Sequence, residues 1–280
     1  MLLAFPQCGI QSSRVLRILQ YKDKKLYRFG SRSVLIVTTK ASYHFDAVFF
    51  DLDDTLYDQS EPFAYAVKHV LGDLKGISGA QLFETSRLHS QEVFAAFARG
   101  YRPTDTVYIH RMQDTFADYG IHLDDQTALK LQRVYAGNTA DAMHLDPSIA
   151  RALDWCSHHT NRGLGIISNG KLRGQIAKVE ALGVDRWISA DRIFVSDAVG
   201  VAKPKPEIFS LACRQVRADP EKSIYVGDAF ALDVIGATRA RLKSLWYNHR
   251  LRHAPTSHPK ATWEVHTAPE LYATLKSNVI

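Results

Sequence analysis

Four aspartates in two short segments have the types and spacing that metal-assisted nucleophilic chemistry requires. Asp51 and Asp53 follow an apolar run and stand two positions apart, and Asp228 and Asp233 follow a second apolar run much later in the chain. Each pair of carboxylates brought to ~4 Å costs on the order of 4 kcal/mol at an effective dielectric near 20. Such a cluster needs cations, and oxygen-rich sites select hard ions, so these residues predict a Mg²⁺ cofactor.

The first two aspartates also have the spacing of a nucleophile and a proton donor. A carboxylate that attacks phosphorus forms an acyl-phosphate, which divides hydrolysis into two displacements. In an extended segment, the carboxylate two positions on points to the same side and can protonate the leaving oxygen and later activate water. Asp51 and Asp53 are therefore candidates for these two roles.

Other polar residues could neutralise and bind a phosphoryl group. Lys203 supplies a fixed positive charge, so that a dianionic phosphoryl group can approach an anionic nucleophile. The Ser168 hydroxyl and the backbone N–H groups of Asn169 and Gly170 can hold phosphate oxygens. Thr55 is suited to hydrogen-bond and orient the acidic loop. Taken singly, each residue has a simpler structural role, such as a helix cap for Ser168.

The elements that must position these residues form an alternating α/β pattern. The apolar run 47–50 stops at the first aspartates, which is typical of a buried strand that ends in an acidic loop. Further strands are predicted at 164–168, 193–195, 224–226 and 244–246, with helices at 174–182, 206–216 and 234–242. Asp146 and Pro147 are typical of the start of another helix. This alternation predicts a Rossmann-like parallel sheet with helices on both faces and ligands at the carboxyl ends of its strands.

A helical insertion separates the first strand from the rest of this pattern. Residues 61–143 lack strand signals and space their apolar side chains as helices do, for example at Phe63, Val67 and Val70. The predicted domains are a catalytic core formed by 45–58 and 146–280, and an inserted α-helical cap at 59–145. Tyr57 and Asp58 are predicted to line the cleft. The simplest role for four aromatic residues of the insertion is core packing: Phe94, Phe97, Tyr108 and Phe116.

The charge of the chain is concentrated at its N-terminus. The 280 residues carry a formal net charge of +6, yet residues 1–44 contain eight Lys or Arg against one acid. The remainder has 27 basic and 28 acidic residues and therefore no basic surplus for a nucleic-acid polymer. A composition that is 46% hydrophobic is sufficient for a full core in a soluble globular protein.

Residues 1–44 form a basic extension that we expect to be poorly ordered or mis-started, with an organelle transit segment or a membrane-surface patch as the alternatives. No apolar run is long enough to predict a transmembrane helix or a membrane partner. Cys8, Cys156 and Cys213 lie far apart without a CxxC pair, which favours a reducing compartment, by default the cytoplasm. The sequence does not indicate an oligomeric state.

Four segments, in order, resemble the four motifs of the haloacid dehalogenase-like (HAD) hydrolase superfamily: Asp51-x-Asp53-x-Thr55, Ser168, Lys203-Pro204 and Gly227-Asp228-x4-Asp233. The resemblance covers residues 45–275, and four ordered motifs are far more specific than any one. It implies an Asp51 nucleophile and an Asp53 general acid/base. It also implies Mg²⁺ held by Asp51, the Asp53 backbone carbonyl and Asp228, with Asp233 in the outer shell or orienting Lys203. The helical insertion would be the mobile cap of the family.

The second carboxylate of the first motif distinguishes branches of this superfamily. True haloacid dehalogenases lack an acid at the position of Asp53, because a halide leaving group needs no proton. The resemblance therefore implies cleavage of phosphate esters. Four segments are most similar to pyrimidine 5′-nucleotidases: 167–170, 200–204, 226–228 and 246–248. The expected substrate is thus a small phosphorylated metabolite, first of all a nucleoside 5′-monophosphate.

Several alternatives stay open at this level. Phosphatases of flavin mononucleotide and acylneuraminate 9-phosphate share much of the pattern, so a flavin or sugar phosphate is a second substrate class. A phosphomutase would pass the phosphoryl group to another hydroxyl instead of water. A phospho-aspartate signalling module, a different functional class, fits poorly, because such modules lack a large helical insertion after the phosphorylated aspartate.

Overall fold

The computed structural model describes residues 24–29, 32–37, 44–93, 103–137, 140–256 and 259–279, in two units that divide after residue 42. In the first unit, strands β1 (Lys24–Phe29) and β2 (Arg32–Val37) pair antiparallel, with Lys24 opposite Val37. The basic extension was expected to lack order, and these two strands were not predicted. The rest of the extension, including Cys8, lies outside the described residues.

A six-stranded parallel sheet forms the centre of the second unit. Its strands are β3 (Ala47–Phe50), β4 (Gly163–Ser168), β5 (Ile193–Val195), β6 (Ser223–Gly227), β7 (Lys243–Tyr247) and β8 (Trp263–Val265). They lie in the order β5-β4-β3-β6-β7-β8. Strand β3 therefore lies inside the sheet, between β4 and β6. The predicted Rossmann-like fold class is confirmed.

Helices pack on both faces of this sheet. They are α5 (Pro147–His158), α6 (Leu172–Ala181), α7 (Ser196–Val199), α8 (Pro206–Val216), α9 (Ile235–Arg239) and α10 (Ala268–Asn278), numbered after the described helices of the insertion. Because side chains alternate along a strand, Val48 and Phe50 face a core shared with α5 and α10, while Phe49 faces one shared with α8. Both sheet faces are thus buried, as the continuous apolar strands predicted.

The insertion between β3 and β4 forms a helical block with its own core. Its helices are α1 (Ser60–Leu71), α2 (Gly79–Leu88), α3 (Asp105–Ala117) and α4 (Asp125–Ala136). Their apolar faces meet around Phe63, Phe83, Met112 and Leu131, all almost fully buried. Ser78 begins α2 with a capping box. In the described part of the chain, no helix is both long and apolar enough to cross a membrane.

The predicted aromatic core of the insertion agrees with the structure in part. Phe116 is fully buried, whereas Tyr108 is half-buried. Phe94 and Phe97 lie outside the described residues. The final elements β8 and α10 were not predicted, since the strand has only three residues and gives no periodic signal of its own.

Candidate active site

The carboxyl ends of β3, β4 and β6 bring polar residues to one edge of the sheet. Asp51 directly follows β3, and its N–H donates to the Val226 carbonyl at 2.8 Å, which extends the pairing with β6 by one residue. Asp228 follows β6, and the turn beyond it carries Asp233. One carboxylate oxygen of each aspartate lies within 4.8 Å of the other two, and all three side chains are buried.

Lys203 lies inside this group of carboxylates. Its Nζ is 2.9 Å from Asp51 Oδ1, 2.7 Å from Asp233 Oδ1 and 2.9 Å from the Tyr225 hydroxyl. The Asn169 side chain holds the lysine backbone at both ends, because it accepts from the Lys203 N–H at 2.8 Å and donates to the Lys203 carbonyl at 3.0 Å. The end of β4 therefore fixes the loop that carries this cation.

Asp233 reaches the site because of an irregular turn. Residues Phe230–Val234 form one π-helical turn, and α9 follows it. A single helix over 234–242 was predicted for this part of the chain. The Ala229 N–H donates to Asp233 Oδ2 at 2.9 Å. A β-carbon on Gly227 would lie 2.4 Å from that oxygen, so only glycine at position 227 leaves room for the carboxylate.

The carboxylates perturb one another's protonation. Burial raises the pKa of Asp51 to about 7; Lys203 opposes this shift, while Asp233 and Asp53 add to it. Burial also raises the pKa of Asp228 well above its usual value, with Asp54 and Asp233 contributing. Burial alone would lower the pKa of Lys203, but the two carboxylates beside it raise it. Negative charge is therefore in excess at this edge.

This excess of buried carboxylates is a donor set that fits Mg²⁺. Mg²⁺ prefers oxygen ligands and commonly takes one or two carboxylates, leaving other positions to water and phosphate oxygens. Asp51, Asp228 and Asp233 supply three, of which Asp51 and Asp233 each also contact Lys203 through one oxygen. The Asp53 side chain does not belong to this cluster, so only its backbone carbonyl remains as the ligand that the family resemblance implies.

Asp53 is instead bound on both carboxylate oxygens. Oδ1 accepts from the Tyr57 hydroxyl and Lys178 Nζ, each at 2.6 Å, and Oδ2 accepts from Gln175 Nε2 at 2.9 Å. Burial would raise the pKa of Asp53, but Lys178, with Tyr57 and Gln175, lowers it to about 2. The carboxylate is thus held in its ionised form.

The residues predicted to bind phosphate differ from one another in their hydrogen bonds. Ser168 Oγ accepts from Gln175 Nε2 at 2.6 Å, next to the Asp53 contact. The Gly170 N–H donates to Ser196 Oγ at 3.0 Å and is therefore not free in this conformation. Thr55 Oγ1 is buried and has no hydrogen-bond partner among the residues that the structure describes. The hydrogen bond predicted for Thr55 is not observed.

Two groups of site residues were missed by sequence reasoning. Gln175 and Lys178 stand three positions apart on α6, the helix that follows the Ser168 motif, and this spacing on one helix face is the signal that could have found them. The second is Arg250, in the loop after β7. It binds Asp54 through two hydrogen bonds of 2.6 Å and contacts Glu84 of α2 at 2.9 Å. It therefore joins the helical block to the sheet domain.

Asp58 was predicted to line the cleft, and it accepts from the same guanidinium at 2.5 Å. The Arg250 guanidinium also lies over the Phe83 ring of α2, 4.9 Å from its centroid. Asp54 adopts a left-handed backbone conformation with φ of 60°, which turns its side chain towards the arginine. The acidic loop thus contacts the carboxylate cluster on one side, through Asp51, and this arginine on the other, through Asp54.

Comparisons with known proteins agree with the resemblance of the four sequence motifs to the haloacid dehalogenase-like hydrolases. Residues 45–241 match the family model of the haloacid dehalogenase-like hydrolases. The chain is 28% identical over 216 residues to a glyceraldehyde 3-phosphate phosphatase from Methanothermobacter thermautotrophicus, covering 76% of this chain and 89% of the relative. It is 34% identical over 113 residues to the pyrimidine 5′-nucleotidase YjjG from Escherichia coli, covering 40% of this chain and 48% of the relative.

Solved structures show the same fold. The crystal structure of the HAD-hydrolase YfnB from Bacillus subtilis, bound to magnesium, aligns with a TM-score of 0.64 and 22% identity, covering 82% of this chain and 98% of YfnB. The L-2-haloacid dehalogenase from Xanthobacter autotrophicus aligns with a TM-score of 0.62 and 19% identity, covering 83% of this chain and 99% of that enzyme. Because the family model matches most of its length, the chain belongs to the haloacid dehalogenase-like hydrolases.

Proposed function

We propose that this enzyme is a Mg²⁺-dependent phosphomonoesterase that forms a transient aspartyl-phosphate on Asp51. One observation carries the proposal: three buried carboxylates have oxygens within 4.8 Å of one another, and Lys203 lies 2.9 Å from Asp51. A buried anionic nucleophile beside a fixed cation has the arrangement needed to attack a phosphoryl group, because the cation offsets the approach of two negative charges. The Asp51 carboxylate would attack phosphorus and displace the alcohol.

In this proposal Asp53 is the general acid that protonates the leaving oxygen and the base that activates water. It stands two residues from the nucleophile, as that role requires. The contacts to Lys178, Tyr57 and Gln175 keep it ionised, so a proton can be delivered only after these contacts loosen. The conformation described here is therefore proposed as the resting state, before the substrate has displaced them.

The residues proposed to hold the metal are Asp51, Asp228 and the Asp53 carbonyl, with Asp233 beside them. When bound, Mg²⁺ would supply positive charge that neutralises the carboxylates and the phosphate oxygens. Asp233 would keep Lys203 in place, at the 2.7 Å distance observed between them. Residues 59–145 would act as the cap over residues 45–58 and 146–280.

The proposed substrate is a small phosphorylated metabolite. The sequence resemblance favours nucleoside 5′-monophosphates, and one relative is named a pyrimidine 5′-nucleotidase. Another relative is named a glyceraldehyde 3-phosphate phosphatase, so triose phosphates belong to the same panel as sugar phosphates and flavin mononucleotide. The activities of these two relatives share phosphomonoester cleavage and differ in the alcohol.

The test is phosphate release from this panel with Mg²⁺ and with EDTA. We expect at least one compound to be hydrolysed only when Mg²⁺ is present, and Asp51→Asn to remove that activity while the fold is retained. Asp154→Asn, an exposed aspartate on α5, is the matched control and should keep full activity. Folded protein that releases phosphate from no compound contradicts the proposal.

A phosphomutase and a signalling module give different results in the same assay. A mutase would transfer labelled phosphate to a second hydroxyl, so a bisphosphorylated sugar would accumulate in place of free phosphate. A signalling module would stop at a long-lived phosphoprotein without turnover. Multiple turnovers with stoichiometric release of inorganic phosphate therefore separate the proposed phosphatase from both.

A further inference from the structure

A second cation lies at the carboxylate cluster, in the loop after β7. Arg252 Nη1 donates to Asp228 Oδ2 at 3.3 Å, and Arg252 Nη2 lies 3.8 Å from Asp54 Oδ2. The ion pairs of Lys203 in the described structure are with the other two carboxylates of the cluster, and Arg252 is the cation that contacts Asp228. The two cations therefore divide the three carboxylates between them.

The backbone of Arg252 is fixed by a buried asparagine. Asn248 directly follows β7, and its side chain accepts from the Arg252 N–H at 2.8 Å and donates to the Arg252 carbonyl at 2.9 Å. Asn169, which directly follows β4, holds the backbone of Lys203 through the same pair of hydrogen bonds. The ends of two strands thus place two cations at the cluster in the same way.

The side chain of Arg252 is held less firmly than its backbone. It is 34% exposed, and one hydrogen bond of 3.3 Å joins it to the buried Asp228. Arg250, two residues earlier, binds both oxygens of Asp54 at 2.6 Å and is only 11% exposed. Because a part-exposed ion pair contributes little, Arg252 is the arginine of this loop whose guanidinium can leave its partner.

The charges of the cluster indicate when Arg252 is needed. The three buried carboxylates and Lys203 together leave two negative charges in excess. A divalent cation balances these two charges, whereas without it Arg252 offsets one of them. Asp228 is both the partner of Arg252 and a ligand proposed for Mg²⁺. The guanidinium and the metal ion therefore favour the same carboxylate and repel each other.

We propose that Arg252 is a displaceable counter-ion of the metal site. It pairs with Asp228 in the metal-free protein and gives up this carboxylate when a divalent cation binds. Since coupling between two ligands is reciprocal, a metal ion that weakens the Arg252 contact is itself bound more weakly because of Arg252. The inference rests on the Mg²⁺ site of the proposed function, and it makes this arginine a determinant of the metal affinity.

Isothermal titration calorimetry of the metal-free protein with MgCl₂ measures this affinity without any substrate. Arg252→Gln should lower the Kd for Mg²⁺ about fivefold or more, because the ion then displaces no ion pair. Arg252→Lys keeps the positive charge and should leave the Kd close to that of the wild type. The control is Arg241→Gln, which changes an exposed arginine paired with Glu221 before β7, at the opposite edge of the sheet. The Kd of this control should not change.

Stability without the metal ion should change in the opposite direction. In EDTA, Arg252→Gln should lower the urea midpoint of unfolding by about 0.3 M, because Asp228 loses its counter-ion. Saturating Mg²⁺ should remove that difference, since tighter metal binding stabilises the variant more than the wild type. Tighter metal binding by a less stable metal-free protein is a combination that an ordinary surface arginine does not give.

Phenylglyoxal, which modifies accessible guanidinium groups, tests the displacement in the wild-type chain. Peptide mapping should show faster modification of Arg252 with Mg²⁺ than with EDTA, because the guanidinium has then left Asp228. Arg241 should be modified at the same rate under both conditions. This measurement carries the test if the glutamine variant does not fold.

The possible results distinguish the inference from the proposed function. Weaker Mg²⁺ binding by Arg252→Gln would mean that the arginine orients Asp228 for the metal ion, and this result overturns the inference. An unchanged Kd, an unchanged midpoint in EDTA, or equal labelling of Arg252 with and without Mg²⁺ overturns it as well. If the wild type binds no Mg²⁺, the inference and the proposed Mg²⁺-dependent activity both fail. Metal binding with the expected effects of Arg252, but no phosphate release from the substrate panel, supports the inference and contradicts the proposed function alone.

Discussion

Replacing Lys203 by methionine removes the positive charge from the carboxylate cluster with little change in side-chain length. The ammonium lies 2.9 Å from Asp51 and 2.7 Å from Asp233, and the lysine side chain is only 2% exposed. Both carboxylates are themselves buried, so water cannot replace the lysine. The substitution therefore leaves two buried negative charges without their shared cation.

The size of the effect follows from these positions. The cluster oxygens lie within 4.8 Å of one another. Two unit charges at that separation repel by about 3.5 kcal/mol at an effective dielectric near 20. Removing one partner of a buried ion pair typically costs about 3–5 kcal/mol. We therefore expect the free energy of unfolding of the metal-free protein to fall by about 3–5 kcal/mol at pH 8.

The loss should depend on pH. In the folded wild type the pKa of Asp51 is about 7, above its usual value of 3.8. The contribution of such a group to stability is full below pH 3.8 and is lost as the pH rises through about 7. Without Lys203, which lowers the pKa of Asp51, the Asp51 carboxyl should hold its proton more strongly still. The difference between the variant and the wild type should therefore be larger at pH 8 than at pH 5.

Urea denaturation in EDTA, analysed by linear extrapolation, measures this difference directly. Added Mg²⁺ should reduce the difference in free energy of unfolding between the variant and the wild type, because a bound cation neutralises part of the carboxylate charge. The control is Lys68→Met, which breaks an exposed ion pair with Asp73 and should change nothing measurable. A Lys203→Met protein within about 1 kcal/mol of the wild type at pH 8 refutes the reasoning.

Two further substitutions test other parts of the site, and a labelling experiment tests the core. Gly227→Ala places a β-carbon 2.4 Å from an Asp233 oxygen, so kcat should fall at least about tenfold while circular dichroism shows a retained fold. Arg250→Gln removes the ion pairs that join the helical block to the sheet domain, so hydrogen exchange in α2 should accelerate; unchanged exchange contradicts that role. Burial raises the pKa of the Cys156 and Cys213 thiols to about 12, so iodoacetamide at pH 8 should label their peptides in urea but not in the native protein.

The arrangement of motifs could be predicted because the carboxyl ends of parallel strands share one edge. That rule alone places Asp51, Ser168 and Asp228 together once the strands are identified. The strands were identifiable because they are continuous apolar runs, and helix 206–216 was predicted with the bounds that α8 has. The same rule predicted that Lys203, in the loop after β5, lies at this edge of the sheet.

Side-chain directions could not be predicted from strand ends. Asp53 was expected to point to the same side of the chain as Asp51, and no local pattern indicated that its carboxylate is bound by Lys178 from α6. The partners that decide this lie about 120 residues away, beyond the range of any local pattern. Gly170 was expected to offer its N–H to phosphate, and Ser196 occupies that group in the structure. Tertiary contacts determine these directions.

The π-helical turn at Phe230–Val234 shows a similar limit. A helix over 234–242 was predicted from apolar spacing, and α9 covers only five of those residues. The turn makes room for the Asp233 carboxylate, which interacts with Lys203 and Ala229. Irregular turns of this kind often occur at functional sites, where local propensity is overridden.

The central claim is that the Asp51 carboxylate attacks phosphorus, and trapping the phosphoryl-enzyme tests it most directly. Asp53→Asn should slow water attack, and p-nitrophenyl phosphate needs little help from an acid because its leaving group is good. After acid quench of this variant with Mg²⁺, peptide mapping should find a hydroxylamine-sensitive phosphoryl group on Asp51, and none in the Asp51→Asn protein. Turnover by Asp51→Asn, or a phosphoryl group on another residue, would contradict the account.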